Sequence, residues 1–207
     1  MKRAEQLEKT RQAILKTATK LFLQKGFGET STRDIAKQIG ITQPALYHHF
    51  SDKEVLYLDV MTNLCGKVRQ DINKVMRKHD LSPNEQLWQI TKALKKHHPL
   101  SIYDQYNQAM RLLSKSAQQK LNMIFTMDYL EPIAAFFRQP DVGLRPDILP
   151  KEAAELFIAG LTPIFGTSQL IGGHSITPEQ RDQLILDCII NGLSNWGGKI
   201  KKYKNNC

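Results

Sequence analysis

The sequence predicts an all-α fold of about nine helices, and three observations predict it. Apolar residues recur at three- and four-residue steps along almost all of the 207 residues, the period at which one stripe of a helix faces a core. No sustained period-2 run bounded by turn residues argues for a sheet. Ser and Thr stand where helices would start, and Gly and Pro where they would stop.

The first helix is expected over residues 5 to 25, with Leu7, Ile14, Ala18, Leu21 and Phe22 on one stripe and Gly26 placed to end it. Ser31 and Asp34 read as a capping box opening a two-turn helix that carries Ile35, Ala36 and Ile39 inward and closes at Gly40. Thr42 can cap a third helix reaching His49; Pro44 is tolerated because first-turn amides have no intrahelical acceptor to lose. Ser51 and Glu54 read as a second capping box before a long fourth helix, with Leu56, Leu58, Met61, Leu64 and Val68 on its apolar face and an end near Lys78. That helix should connect two units.

Beyond a turn at 80 to 84, helical segments are expected at roughly 84–97, 101–114 and 117–138. Three prolines and a glycine make 139–150 a loop. Two more helices, 151–171 and 178–196, are separated by Gly172, Gly173 and the cap Thr177, and Pro163 should kink the first of them.

The stretch STRDIAKQIGITQPALYHHFSDK, residues 31–53, carries the most information. Two short helices about a Gly40, Ile41, Thr42 turn match the helix-turn-helix plan, in which the second helix enters the major groove and the first braces it. Ile35, Ile39, Ile41, Leu46 and Phe50 can form the small core that sets the interhelical angle, which leaves Gln43, Pro44, Ala45, Tyr47, His48 and His49 near the exposed face. Gln43 can hydrogen-bond a base edge, and Pro44 and Ala45 can meet a thymine methyl. Tyr47, His48 and Lys53 can bind phosphates, and Arg33 can reach a phosphate or a guanine.

These residues resemble the TetR-type bacterial repressors. The likeness rests on GFGETSTRDIAKQIGITQPALYHHFSDKEVL, preceded by KLFLQKG, and covers about the first quarter of the chain with no departure at a motif position. It implies a three-helix helix-turn-helix DNA-binding domain over 1–53 and a helical effector-binding and dimerisation domain over 54–198. It also implies a repressor that binds a palindromic double-stranded DNA operator as a homodimer and is released by a small organic effector, hydrophobic or aromatic. The DNA-contacting positions it implies are Arg33, Thr42, Gln43, Pro44, Ala45, Tyr47, His48, His49 and Lys53. Thr42 can instead serve only as a cap, and His49 can pack rather than touch DNA.

The last two helices carry broad apolar faces, and terminal helices this apolar call for a partner subunit. Phe157, Leu161, Ile164, Phe165, Leu184, Ile185, Cys188, Ile189, Leu193 and Trp196 are the candidate dimer interface. In the middle helices Trp88, Tyr103, Tyr106, Met110, Met123, Met127 and Tyr129 are candidates to line an effector pocket, although methionines and aromatics at helical spacing more often form plain core.

The formal net charge of +9 is high for this length, and it is gathered at the ends. Residues 1–54 carry ten Lys and Arg against six Asp and Glu, and 199–204 add four lysines in a tail, 199–207, expected to be disordered. Such clustering suits a polyanion, either nucleic acid or an anionic membrane surface. A basic protein that coats DNA without regard to sequence is the alternative this composition leaves open.

Cys65, Cys188 and Cys207 are odd in number and show no ligand spacing, which points to a reducing cytoplasm. No run approaches a membrane span, and the N-terminus lacks the apolar stretch of a secretion signal. His97 and His98 project about 100° apart on a helix, so no metal is assigned. No cofactor is expected. Neither G-x-S-x-G, a phosphate-binding glycine loop nor H-E-x-x-H occurs, so an enzyme is not expected.

Overall fold

The computed structural model describes residues 2–165 and 176–194; among them the chain is helical without a strand, apart from a lone bridge between Leu144 and Ser194. The elements are α1 (Lys2–Glu29), α2 (Thr32–Ile39), α3 (Gln43–His49), α4 (Lys53–Met76), α5 (Pro83–His97), α6 (Ile102–Leu112), α7 (Lys115–Phe125), α8 (Glu131–Phe137), α9 (Pro150–Gly160), α10 (Thr162–Phe165) and α11 (Pro178–Leu193). α8 continues α7 through the π-helical stretch Thr126–Leu130, and α10 continues α9 past Leu161. The all-α expectation therefore holds. Trp196 and the basic tail lie outside the described residues.

The buried side chains form two clusters, and α4 belongs to both. Leu56, Tyr57, Leu58 and Val60 join Ile14, Phe22, Ile35, Leu46 and Phe50, while Cys65, Val68, Ile72 and Val75 join residues of α5, α8, α9 and α11. The first cluster also takes Ala109, Leu113, Ala117 and Leu121 from α6 and α7. Of the helices before Lys53, α1 therefore rests directly on α6, while α4 packs on α7 and is anchored in both clusters.

Several local expectations need correction. The N-cap of α4 is Asp52, whose carboxylate accepts the Val55 amide at 2.8 Å; the Ser51–Glu54 box does not form. Asp52 is extended and its side chain already reaches that amide, which leaves Glu54 free to bond elsewhere. Ser31 does cap α2 by accepting the Asp34 amide, but its hydroxyl donates to the Asp34 carboxylate at 2.7 Å, and the reciprocal bond of a capping box is not made. Leu7 is exposed because residues 3–9 are exposed throughout, and the buried stripe of α1 begins at Ile14.

The helix expected over 117–138 is not regular. Pro132 has no amide to donate, and its ring would press on the carbonyl four residues earlier. The ladder ahead of it widens, and the Glu131 amide bonds the Thr126 carbonyl five residues back. This turn buries both Asp128 and Tyr129. Likewise the helix expected from 151 breaks at Leu161, just before Pro163.

Candidate nucleic-acid interface

Gly40 closes α2 in the left-handed conformation (φ 73°), and its amide reaches the carbonyls of Ala36 and Lys37. A side chain at that dihedral would be strained, so glycine makes the tight turn into α3. Thr42, extended, then caps α3 by accepting the Ala45 amide, and Pro44 sits in the first turn. Leu46, fully buried, is the residue that pins α3 to the core. Phe50 follows it inward at 2% exposure, with the Arg11 guanidinium 4.8 Å above its ring. Arg11 also pairs with Asp59 of α4 at 2.5 Å, so one side chain fastens α1, the end of α3 and α4 together.

With Leu46 and Phe50 inside, the outward face of α3 presents Pro44, Tyr47 and His48 exposed, and Gln43, Ala45 and His49 half-buried. Thr42 and Arg33 are exposed beside them. The expected contact residues are thus brought onto one surface, with two qualifications.

The first qualification is Thr32, which the sequence reading passed over. Its buried hydroxyl accepts the Gln43 amide N–H at 2.9 Å and lies 3.2 Å from the Tyr47 hydroxyl. The two side chains are held at a fixed separation across the turn. One amide N–H of Gln43 is engaged, which leaves its carbonyl oxygen and second N–H for a base. The second qualification is Lys53. Its ammonium lies 4.3 Å from the centre of the Phe27 ring and 3.5 Å from the Gly28 carbonyl, and partial burial lowers its pKa.

The junction between this surface and the helices behind it is polar and close. Gln105 of α6 donates to the Leu23 carbonyl of α1 at 2.8 Å. Gly26 breaks α1 at φ 78°, and a Cβ there would stand 2.1 Å from the Gln108 side-chain oxygen. Glu54 bonds Ser114 at the start of α7.

The candidate pocket residues are dispersed. Met123 and Met127 are exposed at 62% and 53%, and Met110 packs half-buried against the first cluster. Trp88 lines a groove of about 320 Å³ between α5 and α11. Tyr103 and Tyr106 line a cavity of about 210 Å³ with Phe125 and Ile158, and Tyr106 and Tyr129 border a smaller one with His98.

Of the candidate interface residues, Phe157, Leu161, Ile164, Ile185 and Leu193 are buried within the chain itself. Leu184 and Cys188 are exposed, Phe165 and Ile189 half-buried, and the exposed Leu156 adds to the same helices. Among the described residues no helix is long and apolar enough to cross a membrane.

Residues 14–60 match the family described as bacterial regulatory proteins, tetR family. The chain is 27% identical over 199 residues to the HTH-type transcriptional regulator YuxN of Bacillus subtilis, an overlap of 90% of this chain and 65% of that one. It spans less than two thirds of the length of the curated relatives it matches. In fold it is similar to a TetR transcriptional regulator of Legionella pneumophila, with TM-score 0.70, 18% identity and coverage of 88% of this chain and 96% of that one. It is also similar to AibR, solved in complex with isovaleryl coenzyme A and operator DNA, with TM-score 0.60, 22% identity and coverage of 88% and 97%.

Proposed function

Taking as premise that its helix-turn-helix segment makes this chain a TetR-family transcriptional regulator, we propose that it is a cytoplasmic repressor. In this reading a homodimer holds a palindromic operator and a small hydrophobic or aromatic molecule releases it. The observation that carries the reading is the outward face of α3. Gln43 and Tyr47 are both tied to Thr32, an arrangement that pre-orients one base-reading and one phosphate-binding group.

The dimer would place two copies of α3 about 34–36 Å apart, one helical turn of DNA, in successive major grooves. The exposed apolar side chains of α9 and α11, Leu156 and Leu184, supply a surface for the second subunit. An effector bound among α4 to α9 that favours another spacing would weaken DNA binding, and DNA would weaken the effector by the same factor. The helix common to both buried clusters, α4, is the natural carrier of that coupling.

Selection of random duplexes by the purified protein at physiological salt tests the reading. An enriched palindrome, bound by a species that sediments as a dimer, is the expected result. Retention without enrichment would instead favour a sequence-independent DNA coat, because phosphate contacts alone give affinity without selectivity.

A further inference from the structure

His98 stands at the C-terminal end of α5, its amide bonded to the Leu94 carbonyl and its side chain buried. Its Nε2 lies 2.5 Å from the hydroxyl of the fully buried Tyr129, and the Cys65 thiol, buried in the same cluster, acts on that hydroxyl electrostatically. Burial lowers the His98 pKa to about 3 and raises that of Cys65 to about 12, so ring and thiol are both neutral at pH 7.

A phenol is a better donor than a neutral imidazole, and an imidazole nitrogen a better acceptor than a phenol oxygen. The Tyr129 hydroxyl therefore donates to Nε2. The remaining imidazole proton then sits on Nδ1. That atom is buried and has no hydrogen-bond partner among the described residues, a condition folded proteins rarely leave in place without a use.

The ring borders an enclosed cavity of about 20 Å³, too small for anything beyond a water molecule, whose wall includes Tyr106, Phe125 and Tyr129. Tyr106 and Phe125, stacked with centroids 4.4 Å apart, also line the 210 Å³ cavity on the side of Asn122 and Glu155. Beyond that stacking, the Tyr106 hydroxyl is held at its outer end, where it donates to the exposed Asn122 at 2.9 Å. A turn of that side chain would join the two spaces.

Resting on the reading of this chain as an effector-responsive regulator, we propose that these two cavities, merged by rotation of Tyr106, form the effector site. The ligand is an uncharged aromatic molecule whose carbonyl accepts the Nδ1 proton of His98. The aromatic wall supplies stacking, no Lys or Arg among the described residues lines either cavity, which selects against anions, and the carboxylate of Glu155 stands at the exposed outer side, away from the His98 end, so a neutral ring system fits the inner space. His98 is the residue that distinguishes a carbonyl compound from a hydrocarbon of the same shape.

The probes are 1-indanone and indane, the same bicyclic skeleton with and without a carbonyl, titrated calorimetrically into the full-length protein. We expect 1-indanone to bind about ten-fold tighter and to shift the His98 imidazole ¹⁵N resonances. The preference should vanish in His98→Leu and survive in part in His98→Gln, which keeps a donor. Tyr106→Ala should tighten both compounds and leave their ratio unchanged. Equal binding of the two by the parent protein, binding of neither, or a ketone preference that persists in His98→Leu would each overturn the proposal, and the ¹⁵N readout on the parent protein needs no variant to fold. Duplex selection by the parent protein separates this failure from that of the regulator reading: a protein that prefers the ketone but enriches no DNA sequence retains the site and loses the repressor.

Discussion

Glu54, in the first turn of α4, clasps Ser114, the N-cap of α7: one carboxylate oxygen accepts the Ser114 amide at 2.7 Å and the other its hydroxyl at 2.5 Å. Glu54 follows the end of α3 by five residues, so this contact ties the mounting of α3 to the helices behind it. The Ser114 hydroxyl also caps α7 through the Ala117 amide. Ser114→Ala should therefore cost about 1 kcal/mol, and Glu54→Gln less. The double mutant should fall short of additivity by about 0.5 kcal/mol or more in chemical denaturation. Strict additivity would mean that the clasp carries no energy.

In the proposed reading the face of α3 divides into readers and holders. Gln43→Ala should change which base is preferred at one operator position, by about 1–3 kcal/mol of discrimination. Tyr47→Ala should weaken all duplexes alike, by about ten-fold, the scale of one hydrogen bond to a charged group. Lys53→Ala should lower the slope of log K against log salt by about 0.9, provided its ammonium leaves Phe27 for a phosphate. Thr32→Val, which removes the hydroxyl that holds both Gln43 and Tyr47, should blur base preference and general affinity together. Competition binding across operator variants at several salt concentrations reads all four.

At Gly26 both backbone and space are restricted. Gly26→Ala places a side chain at φ 78° against the Gln108 oxygen and should destabilise by about 1–3 kcal/mol. Adding Gln108→Ala removes the collision and leaves the dihedral strain, so the double variant should recover part of the loss in thermal melting. A double variant no more stable than Gly26→Ala would assign the whole cost to the backbone.

The buried His98 makes stability depend on pH in a window of its own. Its folded pKa, about 3, lies below the unfolded value of 6.5, so the unfolded chain takes up a proton that the folded chain refuses. Stability is thus full above pH 6.5 and falls as the pH drops towards 3, by up to about 1.4 kcal/mol per unit. Asp71, held well below the usual carboxylate range by Lys96, His97 and Lys74, loses its contribution only as the pH falls below its unfolded value of 3.8. Between pH 6.5 and 4.5 His98→Gln should therefore show a shallower decline than the parent, measured by urea unfolding. Parallel curves would count against a neutral buried ring.

How much of this was legible in the sequence follows from where each signal lies. Gly40, Thr42 and the inward run of Ile35, Leu46 and Phe50 are local, and their positions follow from dihedral preference and period alone. The Ser51–Glu54 pattern misled because Asp52, one residue on, can cap equally well, and the choice depends on Ser114, far along the chain. Period marks a helix but does not say which methionines of α7 and the π-helical stretch after it face out, hence the exposed Met123 and Met127. Thr32 went unselected, and the pairing of His98 with Tyr129 unseen, because the partners lie across a turn or 31 residues away, a distance that composition and spacing do not encode.

The π-helical stretch Thr126–Leu130 makes this part of the molecule tolerant of a change in chain length that a regular helix would not bear. Its wide turn amounts to one residue more than a regular helix would hold. Removing one residue there would let the turn close to ordinary width and leave α8 facing α9 nearly as before, whereas the same loss in the middle of α7 would swing everything beyond it by about 100°. A single-codon deletion at the exposed Met127 should therefore still yield soluble protein and one in the middle of α7 should not, a difference that a deletion scan scored by soluble yield would register.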